Sequence, residues 1–447
     1  MNLKPYPKYK DSGIEWIGEI PEGWEVRKLG YHAEMTVPMR DKPPVFDGDI
    51  PWIRIEDFDG KYIYDSKSDQ RVSKKIIRSM NLKVYPVGTV LCSCSCNMGA
   101  TAIVSSPLIS NQTFIGIVPR SNISSEFLYY LMNASSERLQ YLGSGAIQQY
   151  LSKENFKNLK LALPPLQDQT AIANFLDQKT AKIDELIMKN EKLSELLKEK
   201  RQAIISHAVT KGIPPHPPLE KGGWGDLKMR DSGIKWLGEI PEGWDVRRLK
   251  FIALVRPSNV DKKTEGGETE VRLCNYIDVY NNEFIDDSID FMVASATFDE
   301  IKKFRILRGD VLITKDSEEW DDIAVPSFIK EILETVLCGY HLALVRPKAG
   351  MIDGKYLFRT FQSYIVNSQF RISVNGITRY GLSRNSIASA FFPVPPLLEQ
   401  QAIANFLDHK TAKIDESIKN IKSQIEKLKE YRQTLISNVV TGKVRVN

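Results

Sequence analysis

Two stretches of this chain are nearly the same long amphipathic block, and nothing else in the sequence constrains the fold as strongly. LPPLQDQTAIANFLDQKTAKID opens the first, Leu163 to Thr210, and VPPLLEQQAIANFLDHKTAKID opens the second, Val394 to Thr441. Between Pro164–Asp184 and Pro395–Asp415, 17 of 21 aligned positions are identical, at an offset of 231 (395 − 164). The same offset relates Arg201 to Arg432 and Thr210 to Thr441. With no insertion over such a run, every side chain must keep its original helical face. Ile183, Asn190, Leu197 and Ile204 recur every seven residues in the first copy, with Leu186, Leu193 and Lys200 between them. Ile414, Ile421, Leu428 and Leu435 hold the same places in the second, with Ile418 and Ile425 beside them. Lys and Glu fill the other faces, so the spacing predicts a stripe that seeks another helix rather than a helix lost in a core. Helix from Lys179 to about Val209 would run on the order of 45 Å at 1.5 Å per residue. Asn190 on the seam weakens the pairing but fixes register and partner. The economical arrangement pairs the two copies with each other. About six apolar side chains per helix, at roughly 1.5–3 kcal/mol each, outweigh a few tenths per surface ion pair. Such a rod is a spacer held by its own seam, with the flanking domains at its opposite ends.

A second, shorter block is also repeated. DSGIEWIGEIPEGWEVRKL (Asp11–Leu29) returns as DSGIKWLGEIPEGWDVRRL (Asp231–Leu249), matching at 15 of 19 positions with an offset of 220 (231 − 11). Its IPEGW turn reads as an ordered loop that could bring Trp24 and Trp244 onto a surface, with Trp16 and Trp236 beside them; a plain packing role is the reading taken. The two offsets are unequal, so all length variation lies between the blocks, in Gly30–Ala162 and Lys250–Phe392. Those inserts show little resemblance to each other. A repeated frame carrying unlike inserts is the layout of one scaffold with two separately specified recognition modules.

Both inserts read as mixed α and β in the same order: strands, a glycine turn before a buried strand (Gly88, Gly309), a further strand pair, then an amphipathic helix. The halves are therefore expected to share a fold and differ in surface. Each insert closes on a polar loop, GSGAIQQYLSKENF (Gly143–Phe156) and VNGITRYGLSRNSI (Val374–Ile387). Amide, hydroxyl, cationic and aromatic side chains together suit phosphates and base edges. Gln148, Gln149 and Tyr150 in the first loop, and Thr378, Arg379, Tyr380 and Arg384 in the second, are the candidate contacts, with Lys315 after the second buried strand. Ser152 and Ser383 are read as helix N-caps. Between the halves, Lys211–Lys228 joins a stiff proline run to a glycine hinge.

Composition narrows the class. Lys+Arg 61 against Asp+Glu 56 gives +5, mildly basic and undecided about nucleic acid. No stretch reaches about 18 apolar residues, so no membrane span is expected. Met1–Lys10 is polar and unlike a signal peptide, so a cytoplasmic protein is expected. Five cysteines, Cys92, Cys94, Cys96, Cys274 and Cys338, argue against a disulfide framework. LCSCSC would line sulfurs on one strand face; a metal site is the other reading, and it lacks a nearby His or the usual C-x-x-C turn. His32, His207, His216, His341 and His409 are scattered without ligand spacing. Neither a phosphate-binding G-x-x-x-x-G-K-[ST] loop nor G-x-G-x-x-G is present, and Leu163 and Val394 precede the Pro-Pro pairs where a methyltransferase motif needs Asn or Asp. Asp316, Glu318, Glu319, Asp321 and Asp322 form an acidic run: a solvated loop, carboxylates turned to cytosine amino groups, or a metal site. The reading is a chain that binds and positions without catalysing.

The repeated DSGIEWIGEIPEGWEVRKL and LPPLQDQTAIANFLDQKTAKID blocks, with the GDVLIT strand Gly309–Thr314, give the chain a resemblance over essentially its whole length to the specificity subunits of type I restriction–modification systems. The resemblance implies an α+β fold: two mixed α/β target-recognition domains separated by two long antiparallel coiled-coil helices in a pseudo-two-fold internal repeat. The corresponding boundaries are 1–165 for the first domain with its N-terminal arm, 166–210 for the first helical spacer and 211–228 for the linker. The second domain then takes 229–396 and the second spacer with the tail 397–447. It also implies a bipartite double-stranded DNA target, one half per domain, and docking of two modification subunits on the helices. Those partners would carry S-adenosylmethionine and adenine methylation, while restriction subunits would add ATP, Mg and translocation; this chain would hold no cofactor and no metal. In the first insert GTVLCSCSCNMG stands where the second has GDVLITKDS. Half-sites about 34 Å apart, or a multiple, suit such a rod. Lys74, Lys75, Arg78, Lys302, Lys303 and Arg305 are the expected phosphate contacts, which give affinity and salt dependence. A coiled-coil adaptor whose inserts bind peptide or polysaccharide, and a self-sufficient DNA enzyme, are the rival readings.

Overall fold

The computed structural model describes residues 4–38, 41–95, 98–142, 151–213, 228–331, 333–376 and 379–446. The chain forms two compact units, Met1–Glu191 with Lys422–Asn447, and Lys192–Ile421. Two helices dominate it, Leu166–Lys211 (46 residues) and Leu397–Val440 (44 residues), and each is shared between the units. The first begins at Leu166, ahead of the Lys179–Val209 stretch from which the rod length is estimated. Pro164 and Pro165 explain the start: proline disfavours helix in the residue before it but suits the first turn, where its missing N–H costs nothing.

The seam is built from contacts inside each unit. In the first unit Arg432 Nε donates to Asp184 Oδ1 at 2.8 Å; in the second Arg201 Nε donates to Asp415 Oδ1 at 2.8 Å. Stepping forward on one helix, from Asp184 to Arg201, moves the partner backward on the other, from Arg432 to Asp415, so the helices run antiparallel. The two ion pairs are also one contact in duplicate, since the repeat aligns Asp184 with Asp415 and Arg201 with Arg432. Ile183, Ile421 and Leu435 are buried, while Asn190, Leu197, Ile204, Ile414 and Leu428 are half-buried. The residues interleaved with them lie four positions on, not three. Ser194, Ile418 and Ile425 are buried, whereas Leu186 and Leu193, expected on the seam, are 49% and 45% exposed and Lys200 is also exposed. A four-then-three alternation follows the 3.6-residue turn on this side of the stripe.

Each unit carries the same sheet. In the first, Ala33–Thr36, Phe114–Pro119, Val90–Ser93, Thr101–Val104 and Tyr62–Ile63 lie side by side in that order. In the second the order is Ala253–Pro257, Leu342–Pro347, Val311–Thr314, Pro326–Ile329 and Phe284–Ile285. Only the last pairing in each is parallel. The central strands are apolar on both faces because both are covered. Val311 and Ile313 pack towards Tyr356, Leu357 and Phe361, and Leu312 packs towards Leu273, Cys338 and Leu344. In the first unit Val90 and Cys92 face Phe127 and Leu131, while Leu91 faces Ile53 and Val104. Gly88 (φ 84°) and Gly309 (φ 91°) turn the chain into these strands in a left-handed conformation that L side chains rarely adopt.

Trp24 and Trp244 are 1% and 2% exposed, so the IPEGW turns do not display them. Trp244 packs with Ile205, Ala208 and Val209 at the end of the first long helix, and Trp24 with Leu435, Ile436 and Val439 at the end of the second. Packing is what they do, as read from the sequence. The helix expected after the sheet is broken in two in each half, Ser125–Ala134 with Ser136–Leu142, and Gly354–Gln362 with Tyr364–Arg371. The linker's Pro214, Pro215, Pro217 and Pro218 lie outside the described residues. No helix among the described residues is long and apolar enough to cross a membrane.

Cys92, Cys94, Cys274 and Cys338 are buried, and Cys96 lies outside the described residues. Cys92 and Cys94 share one core cluster, as alternation along a strand requires. Burial pushes the Cys92 thiol up to about 12 and raises Cys274 and Cys338 as well. Thiols held protonated and covered do not react. Maleimide applied to the folded protein should therefore leave these four unlabelled, and all should label after unfolding. Mass spectrometry of the peptides decides it, and native labelling of Cys274 or Cys338 would contradict the packing of the second unit.

Candidate nucleic-acid interface

The recognition inserts are fixed to the long helices by side chains that the repeat supplies twice. Gln169 and Gln400 are 1% and 0% exposed. Gln169 Oε1 accepts from Ser124 N at 2.9 Å, and its Nε2 donates to Pro164 O at 3.0 Å. Gln400 Oε1 accepts from Asp353 N at 2.7 Å, and its Nε2 donates to Pro395 O at 2.7 Å. A buried amide so satisfied locks the start of the insert's helix onto the start of the long one. Asp177 then accepts from Lys61 Nζ and Tyr130 Oη, both at 2.6 Å. Burial, and next the hydrogen bond to Asp177, raise the Tyr130 phenol and keep it a donor. Asp408, the counterpart of Asp177 in the repeat, accepts from Arg359 Nη2 at 2.8 Å and Lys355 Nζ at 3.1 Å. Arg359 also reaches Glu283 at 3.2 Å, and Glu283 meets Arg201 of the long helix. Tyr130 and Arg359 take the same place on their helices, counted from the N-caps Ser124 and Asp353.

On this common frame the expected phosphate contacts take matching places. Lys74, Lys75 and Arg78 lie on helix Lys74–Ser79, which follows the edge strand Arg71–Val72 of the three-stranded sheet. Lys302 and Lys303 lie on helix Phe298–Phe304, which follows the edge strand Met292–Ala296 of the corresponding sheet, and Arg305 comes directly after. Lys74, Lys75, Lys302, Lys303 and Arg305 are exposed, and the Arg78 side chain lies on the same outer helix. Gln148, Gln149, Tyr150 and Thr378 lie outside the described residues. Arg379 is exposed, and Arg384 is exposed with its Nε 3.4 Å from Val255 O. Ser152 and Ser383 cap their helices, accepting from Asn155 N and Ser386 N, as read.

The second unit gathers several of these groups into one cavity of about 690 Å³, lined among others by Tyr276, Tyr280, Asp316, Glu318, Asp322, His341 and Arg379. Two strand pairings build it. Thr314 pairs with Leu342, which sets Lys315 beside His341, with Lys315 N donating to His341 O at 2.9 Å. Ser317 pairs with Tyr380, which folds the polar loop over the acidic run. Lys315 is no free cation: its Nζ is 2.9 Å from Asp316 Oδ2 and 4.9 Å from the centre of the Tyr340 ring. His341 Nδ1 lies 2.6 Å from the same Asp316 oxygen. Burial pushes the Asp316 carboxyl up, but hydrogen bonds from Lys315 and His341 outweigh it and leave it below its ordinary value. Tyr276 and Tyr280 stack at 5.5 Å, and Tyr280 Oη donates to Asp322 at 2.5 Å. Among the described residues no group of acids, His and Cys could hold a metal ion.

The corresponding corner of the first unit has the same backbone and other chemistry. Ser93 pairs with Phe114, Cys94 N donates to Thr113 O at 2.9 Å, and Leu151 N donates to Cys94 O at 2.9 Å. Leu382 N to Lys315 O at 2.8 Å completes the match. Cys94, Ser95 and Thr113 thus stand where the second unit has Lys315, Asp316 and His341. His341, Tyr276, Tyr280 and Tyr340 were invisible as site residues in the sequence. His341 is far from Asp316 along the chain, and only the strand pairing joins them.

Comparison with known proteins gives four findings. Residues 21–197 and 241–427 match the sequence profile described as the type I restriction modification DNA specificity domain. The chain is similar to the specificity subunit of type I restriction enzyme MjaIX from Methanocaldococcus jannaschii, 26% identical over 446 residues, covering 96% of this chain and 95% of the relative. It is also similar to the specificity subunit of type I restriction enzyme EcoKI from Escherichia coli, 22% identical and covering 96% of this chain and 90% of the relative. Among solved structures, a chain from work on complex assembly and conformational transition of the type I R-M system superposes with a TM-score of 0.68 at 15% identity, over 94% of this chain and 98% of that one.

Proposed function

The chain belongs to the family of type I restriction–modification DNA specificity domains, and from that premise we propose that it is the DNA-reading subunit of a type I restriction–modification complex. Each unit reads one half of a bipartite duplex target. The long helices hold the two readers and dock two modification subunits, with restriction subunits joining through the assembly. The chain itself performs no bond-making: S-adenosylmethionine, ATP and Mg belong to the partners' chemistry, and a cytoplasmic location follows from that role.

One observation carries this reading. The same sheet, docked on the same Gln and Asp of a duplicated helix, presents Cys94, Ser95 and Thr113 in one unit and Lys315, Asp316 and His341 in the other. A structural adaptor has no need of equal scaffolds with unlike corners, whereas a reader of two different half-sites does. Exposed lysines and arginines at matching places supply sequence-independent grip, and base-edge contacts supply discrimination. The test is selection from a random duplex library by the full chain with its modification subunit, alongside adenine-methylation mapping in cells that carry the system. One interrupted sequence should emerge from both. Retention of random duplexes without preference would sink the reading, and methyl transfer by this chain alone would overturn its non-catalytic part.

A further inference from the structure

We propose that His341, held by Asp316 and Lys315 in the cavity of the second unit, reads the exocyclic amino group of one adenine or cytosine in the major groove, making it a specificity-determining residue. The inference rests on the DNA-reading role proposed above and names the chemistry at one position of the second half-site.

The Lys315–Asp316–His341 cluster is not required by the fold. The first unit closes the same strand corner with the same backbone hydrogen bonds using Cys94, Ser95 and Thr113. What differs between two otherwise equal corners is free to serve what the domains read differently. The cluster is also oriented. Asp316 stays a carboxylate, so the 2.6 Å contact places the imidazole proton on Nδ1. In the neutral ring Nε2 is then the lone-pair acceptor, on a side chain 23% exposed at the cavity wall. The remaining wall is acidic on balance. Glu318, Glu319 and Asp322 add acceptors, with Asp322 fixed by the Tyr280 hydroxyl, and they outnumber the two cations of the lining, Lys262 and Arg379. Around Nε2 the excess of carboxylates disfavours phosphate, and it equally disfavours guanine O6 and thymine O4. It admits an edge that donates, and the major groove offers adenine N6 and cytosine N4. Stacked Tyr276 and Tyr280 give the same cavity a flat apolar side.

The experiment is fluorescence anisotropy on the full chain with its modification subunit, using the mapped target. In the second half-site amino groups are deleted one at a time, purine replacing adenine and pyrimidin-2-one replacing cytosine. Wild type should lose about 10- to 100-fold in affinity at one position, the span of one good base contact. His341→Asn and His341→Gly, both compatible with the left-handed backbone at this residue (φ 72°), should bind the intact and the amino-deleted duplex equally there. Thermal melts check that both variants fold. Lys302→Ala should weaken every duplex alike. If the variants still feel the deletion as wild type does, His341 is not the reader. If wild type feels no deletion in that half, the cavity serves another ligand, such as a cationic side chain of a protein partner, and the inference is overturned while DNA reading stands. Absence of any duplex preference would instead remove the reading on which it rests.

Discussion

Asp408→Ala is expected to destabilise the second unit by about 3 kcal/mol, roughly a hundredfold in its folding equilibrium, because it strands a buried guanidinium. Arg359 is 2% exposed and spends both ends of its fork, on Asp408 at 2.8 Å and on Glu283 at 3.2 Å. Removing one partner of a buried ion pair costs about 3–5 kcal/mol, and Glu283 remains to hold the loss at the low end. The matched change in the first unit, Asp177→Ala, removes the same strut carboxylate but leaves a neutral Tyr130 hydroxyl and the Lys61 ammonium, whose side chain is 13% exposed. A smaller loss of about 2 kcal/mol is expected there. Two units need not melt together, so amide hydrogen exchange over Lys192–Ile421 is the measurement that assigns the change. Adding Arg359→Met to Asp408→Ala should recover most of the loss, since it removes the stranded charge. Equal effects of the two aspartate changes, or no rescue by the methionine, would show that the charge is not what holds this joint.

The frame was legible in the sequence because helical repeats announce themselves at any distance. Identity at one fixed offset, Pro164 to Pro395 and onward, marked the long helices, and the seven-residue recurrence from Ile183 marked the seam. Its fine register was not legible. Leu186 and Leu193 look like seam residues by hydrophobicity, yet they flank it, and Ser194 and Arg201 take the places inside. Polar residues at such positions are chosen by what lies across, and Arg201 is explained only by its acidic partners, Asp415 first. The helix also outruns its stripe. Residues 166–178 are helical without joining the coiled-coil stripe, because Gln169, Ile172 and Leu176 face the first insert instead.

Candidate contacts divided along the same line. Runs of exposed cations such as Lys74 and Lys75, or Lys302 and Lys303, are visible because their neighbours in sequence are also their neighbours on the surface. The corner of the second unit is not, since Lys315, His341 and Tyr380 come from separate strands whose pairing no local pattern encodes. Lys315 reads in the sequence as a candidate DNA contact, and nothing there shows that its side chain, 14% exposed, is paired with Asp316. A residue's charge is legible, but its partner is not.

Replacing Gly30–Ala162 by a second copy of Lys250–Pro393 should give a folded chain whose methylated target is the second half-site twice. The expectation depends on the joints, and each joint needed by the transplanted insert already exists in the first frame. Asp353 N would meet Gln169, which follows Pro164 at the same spacing as Gln400 follows Pro395. Arg359 and Lys355 would meet Asp177 in place of Asp408, and Glu283 would meet Arg432 in place of Arg201. Strand Phe391–Val394 pairs with Asp245–Arg248 as Lys160–Leu163 pairs with Glu25–Lys28, so the sheet entering the long helix closes by the same register. None of these joints loses its partner in the exchange, which is the condition for keeping stability near that of the parent. Adenine-methylation mapping reads the result directly. Loss of the first half-site with the second intact and duplicated fits two independent readers on one frame. A target changed in both halves would mean that each half-site is read by the pair, and the division of labour between the units would have to be abandoned.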